Sequence, residues 1–361
     1  MSSPSPSNRA AWQQQCHTPL QIESTPYPTS STLSPTQLVI KVHAWAINPA
    51  DIILQDTEMA FVKYPVILGE DIAGTIVEQG TGVSRFKTED RVIAFALGAS
   101  GGPAMGGFQE YVVVDESLVA RIPGWMPFEE GVVLPLGLTT AAHALSQKEY
   151  LDLPVPGSGT GTAKAQAEIG AAAEDGKRKK SVLIWGASSS VGSNAVQLAV
   201  AAGVEVLATA SKSNFESVKK LGASLVFDYK DDDVVESIVK ELDARGDDCV
   251  GIFQAAGYAA ALQPVMEIAS KVRSDLFVAT TMHLVEGVVP EGVRAKMVFG
   301  SGHDHVLGVW SEFLPVALEE RRYLAMPRPF VLETRGLEGI QEGYDVLKKG
   351  VSARKVVVLA E

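Results

Sequence analysis

Three short stretches carry residue types and spacings that could do chemistry. The first is "VLIWGASSSVGSNAVQLA", Val182 to Ala199. An apolar run meets a turn of small residues, and the turn opens a pattern that reads as a helix. Backbone N–H groups at such a turn, with the positive end of the helix behind them, can hold a pyrophosphate. The G-x-G-x-x-G fingerprint, set on Gly192, falls on Ala187, Ser189 and Gly192, so two of its glycines are replaced. Every residue from Gly186 to Ser190 is nonetheless small, and the serines add hydroxyl donors.

The second stretch is "TASKSN", Thr209 to Asn214, where the next strand should end. A dinucleotide site for NAD usually has Asp or Glu there for the ribose hydroxyls. Here no acid is present, and Ser211, Lys212 and Asn214 offer a cation and donors where a 2′-phosphate would sit. That favours NADPH. The third stretch is "ILGEDIAG", Ile67 to Gly74, with adjacent carboxylates at Glu70 and Asp71. The pair His303 and His305 in "GHDHVLG" has no evident third ligand, and two histidines rarely make a metal site. His43 falls in a predicted strand and reads as a core or barrel-face residue. Tyr64 precedes a proline and reads as packing.

The elements needed to position these groups are legible along the chain. The 361 residues suit two domains rather than one. "QLVIKVHAWAIN" (Gln37 to Asn48), "GEDIAGTIVEQG", "DRVIAFA" and "GGFQEYVVVDESLVARIP" read as short strands punctuated by glycine, a mainly β, barrel-like first part. "LPLGLTTAAHALSQKEYL" reads as a helix. Pro154 to Lys180 is rich in Gly and Ala, ends in a basic cluster, and reads as a mobile surface loop. From Ser181 strands and helices alternate, which implies a parallel, doubly wound sheet. Ser213 and Glu216 predict a capping box for its second helix. A last helix, "GLEGIQEGYDVLKKG", and a strand, "KVVVLA", are expected to return to the first part.

Composition excludes some classes. The net charge is -12, which argues against nucleic-acid binding. Two cysteines, Cys16 and Cys249, make neither a disulfide framework nor a four-cysteine zinc lobe. No apolar run approaches a bilayer span, and the N-terminus has no apolar signal core. The expectation is a soluble cytoplasmic protein.

These segments, together with "AINPAD" (Ala46 to Asp51), resemble the medium-chain dehydrogenase/reductase superfamily across nearly the whole chain. More narrowly, "GASSSVGSNAVQLA" and "TASKSNFESVKKLGA" resemble the zinc-free, trans-acting enoyl reductases that serve fungal polyketide synthases. The resemblance implies an α/β fold with a GroES-like, mainly β catalytic domain plus a Rossmann doubly wound parallel sheet. The catalytic domain would cover 1–140, the NADPH-binding domain 141–285 with its loop at 154–180, and residues 286–361 would return to the catalytic domain.

In the zinc relatives a cysteine stands where this chain has Asn48, and Gly-His-Glu stands where it has Gly69, Glu70 and Asp71. The resemblance therefore implies chemistry without metal, with Glu70 and Asp71 structural, capping turns or pairing with Arg or Lys. NADPH would deliver hydride to the β-carbon of a C=C bond conjugated to a carbonyl or thioester, giving an enolate that is then protonated. No residue stands out as the proton donor, and solvent is a candidate source. A quinone or enone reductase acting on a free small molecule would use the same residues; a non-catalytic NADPH-binding protein with an inherited fold is the alternative of a different class.

By resemblance, Asn48, Pro49, Ala50 and Asp51 border the nicotinamide end. Gly186 and Ser188, Ser189, Ser190, Val191 and Gly192 hold the pyrophosphate, and Ser211, Lys212, Ser213 and Asn214 hold the 2′-phosphate. Tyr229 lies near the adenosine. Phe277 and Val278 pass under the cofactor, and Val351 and Ser352 close over it. Gly137, Leu138, Thr139 and Thr140 face nicotinamide and substrate. Met297, Val298, Phe299, Gly300 and Ser301 line the substrate channel. The implied partner is a small-molecule or carrier-bound enoyl substrate, the latter delivered by a polyketide synthase, and a monomer is favoured over a dimer.

Overall fold

A computed structural model describes residues 7–156, 180–245, 249–256, 259–272, 275–299 and 308–361. The chain forms two compact units, one from residues 1–136 and 314–361, the other from 137–313.

The first unit is built on antiparallel strands. β1 (Asn8–Gln13) pairs with β2 (Gln21–Thr25) and with β4 (Val66–Ile67) in a small sheet. The larger sheet grows around β3 (Gln37–Ala46), whose apolar residues at Leu38, Ile40, Val42, Ala44 and Ala46 are buried. β3 runs antiparallel to β5 (Asp71–Gln79), which pairs in turn with β6 (Arg91–Phe95). The first half of β3 also pairs with β7 (Tyr111–Asp115), and β8 (Val119–Arg121) closes on β6. Two bulges in the β3–β5 ladder, at Val39/Ile40 and Val42/Ala44, let one long strand serve several neighbours. Helix α1 (Pro49–Asp56) follows β3, with proline at its first turn where no N–H is needed. A short α2 (Phe128–Gly131) ends this part, and the longer α3 (Pro135–Ser146) starts at the boundary and belongs from Gly137 on to the second unit.

The second unit is a six-stranded, all-parallel sheet. Its strands are β9 (Ser181–Trp185), β10 (Glu205–Ala210), β11 (Leu225–Asp228), β12 (Cys249–Gln254), β13 (Phe277–Thr280) and β14 (Arg294–Met297). The order β11-β10-β9-β12-β13-β14 puts the first strand at the centre. The chain direction therefore switches sides between β9 and β12, and ligands of such sheets bind there at the carboxyl ends. Helices α4 (Ser190–Ala201), α5 (Phe215–Lys220), α6 (Val234–Arg245) and α7 (Leu262–Val272) make the crossovers. All five residues of β9 are buried, as a strand covered on both faces requires.

After a π-helical turn at Val309–Phe313, α8 (Leu314–Glu319), β15 (Arg328–Val331), α9 (Glu338–Lys348) and β16 (Arg354–Leu359) return to the first unit. There β16 pairs antiparallel with the second half of β3. The return begins at residue 314 rather than 286, because β14 extends the parallel sheet and keeps its segment with the second unit. The first boundary falls at 136/137 rather than 140/141. The capping box expected from Ser213 and Glu216 does not form: Lys212–Asn214 makes a 3₁₀ turn, and Asn214 occupies the cap of α5. Most of the 154–180 loop lies outside the described residues.

Gly74 shows how closely β3 and β5 approach. A Cβ there would lie 2.0 Å from the Lys41 carbonyl oxygen, a distance that only backbone movement can relieve. Gly74→Ala is expected to cost about 2–4 kcal/mol, at the upper end for single substitutions. Denaturant melts should show this as a lower midpoint; an unchanged midpoint would contradict the close approach.

Candidate functional site

In the second unit the Ser-rich turn sits where β9 hands over to α4. Gly186 has φ +82°, and a Cβ on it would lie 2.8 Å from the Cβ of Ala256. At Gly192 a Cβ would lie 2.2 Å from the Gly186 carbonyl. The last glycine of the fingerprint is thus required for helix α4 to pack on the end of β9. Ser189 is the N-cap of α4: its Oγ accepts the Gly192 N–H at 2.9 Å and donates to the Ala255 carbonyl at 3.4 Å. Its hydroxyl is occupied in holding the turn. The turn offers a phosphate chiefly backbone amides at a helix start, with Ser188, Ser190 and Val191 half-exposed around them. This glycine-tight cradle and donor set fit a dinucleotide pyrophosphate.

At the end of β10, Ser211, Ser213 and Asn214 gather into one polar knot. The Ser211 and Ser213 hydroxyls lie 3.2 Å apart, and Asn214 Nδ2 donates to Ser211 Oγ at 3.0 Å. Lys212 does not point free: its Nζ lies 2.8 Å from Asp231 Oδ1 and 3.9 Å from Asp228 Oδ2. Neither carboxylate is legible along β10 alone. The signal lay in the parallel register that sets Asp228 beside Ala210. Tyr229, next in the chain, is exposed.

Two expectations for this unit need correction. Phe277 opens β13 at its amino end and Val278 is fully buried in the sheet core, so neither lies at the ligand end. The carboxyl-end positions are Ala255 and Ala256 after β12 and Thr280 to Met282 after β13. There Thr281 donates its N–H to the Gln254 carbonyl at 3.0 Å.

Leu138 and Thr139 of α3 also face inward. Leu138 is in the core, and the Thr139 hydroxyl accepts from Trp310 Nε1 at 3.3 Å. Gly137 is buried with them, packed against Ser190 and Asn194, while Thr140 is partly exposed. Met297, Val298 and Phe299 follow one another out of β14. The Tyr150 hydroxyl ties them down, donating to the Met297 carbonyl and accepting from the Phe299 N–H, each at 3.2 Å. Phe299 is 62% exposed. Gly300 and Ser301, with His303 and His305, lie outside the described residues.

The first unit holds a buried cluster of charge around "ILGEDIAG". Lys355 of β16 and Asp71 of β5 form an ion pair at 2.8 Å, with side chains 5% and 0% exposed. Lys355 Nζ also donates to Asn48 Oδ1, and Asn48 Nδ2 donates to Asp71 Oδ2 at 3.0 Å. The other oxygen of Asp71 accepts the Leu136 N–H at 2.6 Å, at the start of α3. Asp51 accepts the Asn48 backbone N–H at 2.8 Å. The expectation that Asp71 would pair with a cation holds, and the cation is Lys355. The side chains of Asn48 and Asp51 are committed inside this cluster. Pro49 is exposed and Ala50 partly so. In the loop before β16, Ser352 is exposed and Val351 partly exposed.

Three carboxyl groups thus share one ammonium. Burial pushes Asp51 up to about 7, with the neighbouring Asp71 charge adding to it. Burial, then the charges of Asp51 and Asp71, hold Glu70 well above the usual carboxylate range. The Tyr344 hydroxyl is likewise raised by burial. Glu70 Oε2, Asp51 Oδ1 and Tyr344 OH are buried without hydrogen-bond partners. A proton retained on Glu70 relieves the surplus of negative charge.

With the geometry in place, the chain can be set beside known proteins. Residues 34–124 match the alcohol dehydrogenase GroES-like domain, and residues 190–282 match the zinc-binding dehydrogenase domain. Dehydrogenase azaJ of Aspergillus niger is 38% identical, over 94% of this chain and 95% of its own length. Trans-enoyl reductase himH of Aspergillus japonicus is 38% identical over 97% of each chain. An alcohol dehydrogenase superfamily protein from Novosphingobium aromaticivorans shares the fold, with a TM-score of 0.72, 23% identity, and coverage of 98% of this chain and 100% of its own. The chain belongs to the medium-chain dehydrogenase/reductase superfamily and is an oxidoreductase of that fold, with a GroES-like unit and a Rossmann unit.

The buried cluster has a pH signature. Asp51 releases its proton near 3.8 when unperturbed and at about 7 in the folded protein. Between those values the folded state holds more protons at this group than the unfolded state. Its contribution is therefore most favourable below about 4 and declines as pH rises toward 7. Asp51→Asn keeps an oxygen for the Asn48 N–H and carries no charge. Denaturant melts across this window should give a flatter stability curve for the variant than for the wild type; parallel curves would remove Asp51 as the titrating group.

Proposed function

We propose that the protein is an NADPH-dependent reductase of an activated C=C bond, of the trans-acting enoyl reductase type, working without zinc. The observation that carries this reading is the donor set of the first unit. Asn48 and Asp71 are both bonded to the Lys355 ammonium, so the cation at this place is a side chain. Among the described residues no three His, Cys, Asp or Glu side chains are grouped to hold a metal ion. A zinc site needs such a set. Relatives named trans-enoyl reductase support the enoyl reading, among them tndF of Aspergillus flavipes at 34% identity.

Bound NADPH would supply hydride to the β-carbon of an α,β-unsaturated thioester or carbonyl. The chain's part is then to bind, orient and exclude water. The turn from Gly186 to Gly192 would hold the pyrophosphate, and Ser211, Lys212, Ser213 and Asn214 would hold the 2′-phosphate. The absence of an acid at the end of β10 and the donors gathered there support NADPH over NADH. A carrier-bound chain from a polyketide synthase is the partner that fits the trans-acting type.

We infer a monomer. The edge strand β14 has only four residues, with Arg294 and Lys296 exposed on it, a composition that discourages pairing with another sheet. No helix among the described residues is long and apolar enough to cross a membrane.

The test is NADPH oxidation followed at the nicotinamide absorbance, with crotonyl-type thioesters and simple quinones side by side. Turnover of the thioester is the expected result. Turnover of quinones alone would replace the enoyl reading with quinone reduction, and binding of NADPH with no turnover of either would mean that a carrier-bound substrate is required or that the fold serves binding alone. Elemental analysis of the purified protein should find no stoichiometric zinc; one zinc per chain would overturn the metal-free reading.

A further inference from the structure

The end of β10 contains more charge than its own sequence suggests. Lys212 is 69% exposed at its side chain and is held by two carboxylates from the neighbouring strand and its following turn. Asp228, at the last position of β11, is 7% exposed and fixed. One of its oxygens accepts the Lys230 N–H at 3.0 Å, and the other lies 3.9 Å from Lys212. Asp231 is 46% exposed and makes the closer contact with Lys212, at 2.8 Å. Lys230 is turned to the ring of Tyr229, 5.8 Å from its centre. Lys212, Asp228 and Asp231 therefore sum to one surplus negative charge at the place where a 2′-phosphate would be read.

An incoming phosphate of about two negative charges meets this set with its cation already taken. It can bind Lys212 only by displacing or sharing the bond to Asp231. A ribose that carries a free 2′-hydroxyl meets no such competition. The Lys212–Asp231 pair is exposed, so breaking it costs little. The repulsion between Asp231 and the phosphate is the larger effect.

We propose that Asp231 is a specificity-determining residue: its carboxylate competes with the 2′-phosphate of the nucleotide for Lys212 and so limits the preference for NADPH over NADH. This rests on the reading that the 2′-phosphate is bound at Lys212. Among the described residues, the bonds of Asp231 run to Lys212, Asp228 and Val234. Its backbone bonds, from its own N–H to the Asp228 carbonyl and from the Val234 N–H to its carbonyl, do not depend on its side chain. Substitution there should therefore leave the fold intact.

The experiment measures binding to the full-length protein by titration calorimetry with four ligands: NADPH, NADH, 2′,5′-ADP and 5′-ADP. Asp231→Asn should tighten NADPH and 2′,5′-ADP by about five- to tenfold, the size expected for removing one charge near a phosphate in a solvated site. NADH and 5′-ADP should stay within about twofold, and the gain should shrink in high salt. Asp231→Lys should act in the same direction and further. An unchanged or weakened NADPH affinity, or an equal gain for all four ligands, would overturn the competition. Lys212→Ala separates this from the underlying reading. If it weakens NADPH and 2′,5′-ADP alone, Lys212 is the phosphate partner and the Asp231 variants decide the proposal. If it leaves both unchanged, the phosphate is bound elsewhere and both fall together.

Discussion

The first unit depends on one buried ion pair, Lys355 with Asp71. Four elements meet at it: β16 brings the ammonium, β5 the carboxylate, the turn into α1 brings Asn48, and the start of α3 donates its Leu136 amide. A charge pair this deep is not a simple gain, since both ions leave water, and the desolvation can outweigh their attraction. What makes it tolerable is saturation. Asp71 uses both oxygens, and Lys355 adds the Asn48 oxygen to the carboxylate. Removing either ion would strand the other, which typically costs about 3–5 kcal/mol. The pair therefore specifies how the returning C-terminal strand seats against β3.

The surrounding carboxyl groups add a second constraint. Asp51 and Glu70 cannot both be ionised beside Asp71 without more positive charge than Lys355 supplies. Burial and the neighbouring charges accordingly push proton release upward at both groups. The same arithmetic, worked with the opposite exposure, recurs in the second unit. There Lys212 lies between Asp228 and Asp231 at the surface, where solvent weakens each term and a ligand can rearrange them.

The two-part architecture was readable from the sequence because its signals are local. Period-two apolar runs gave the strands of the first unit, and alternating strand and helix gave the parallel sheet. The turn at Gly186–Gly192 was legible because its small residues are contiguous. Lys355 was not, because it lies 307 positions from Asn48 and nothing in "SARKVVVLA" marks its lysine as inward-facing. Asp228 and Asp231 were missed for a related reason. They reach Lys212 through strand register, a relation between β10 and β11 that neither strand states alone. The expectation that Phe277 and Val278 pass under the cofactor rests on resemblance alone; the strand itself was legible, but the sequence does not show which of its residues stand at the amino end and which at the carboxyl end of the sheet. Ser213 was expected to cap a helix that instead begins after a 3₁₀ turn.

The close packing at Gly192 bears on how this protein could diversify. With the Gly186 carbonyl only 2.2 Å from where a Cβ would stand, Gly192 cannot take a side chain without backbone movement. The rim formed by Ser211 to Asn214 and Asp228 to Asp231 is open to solvent at most positions and tolerates exchange of charge. Selection or design acting on the nucleotide would therefore find the hinge of helix and strand frozen and the rim free. Exchange of charge on the rim leaves the packing of helix on strand untouched.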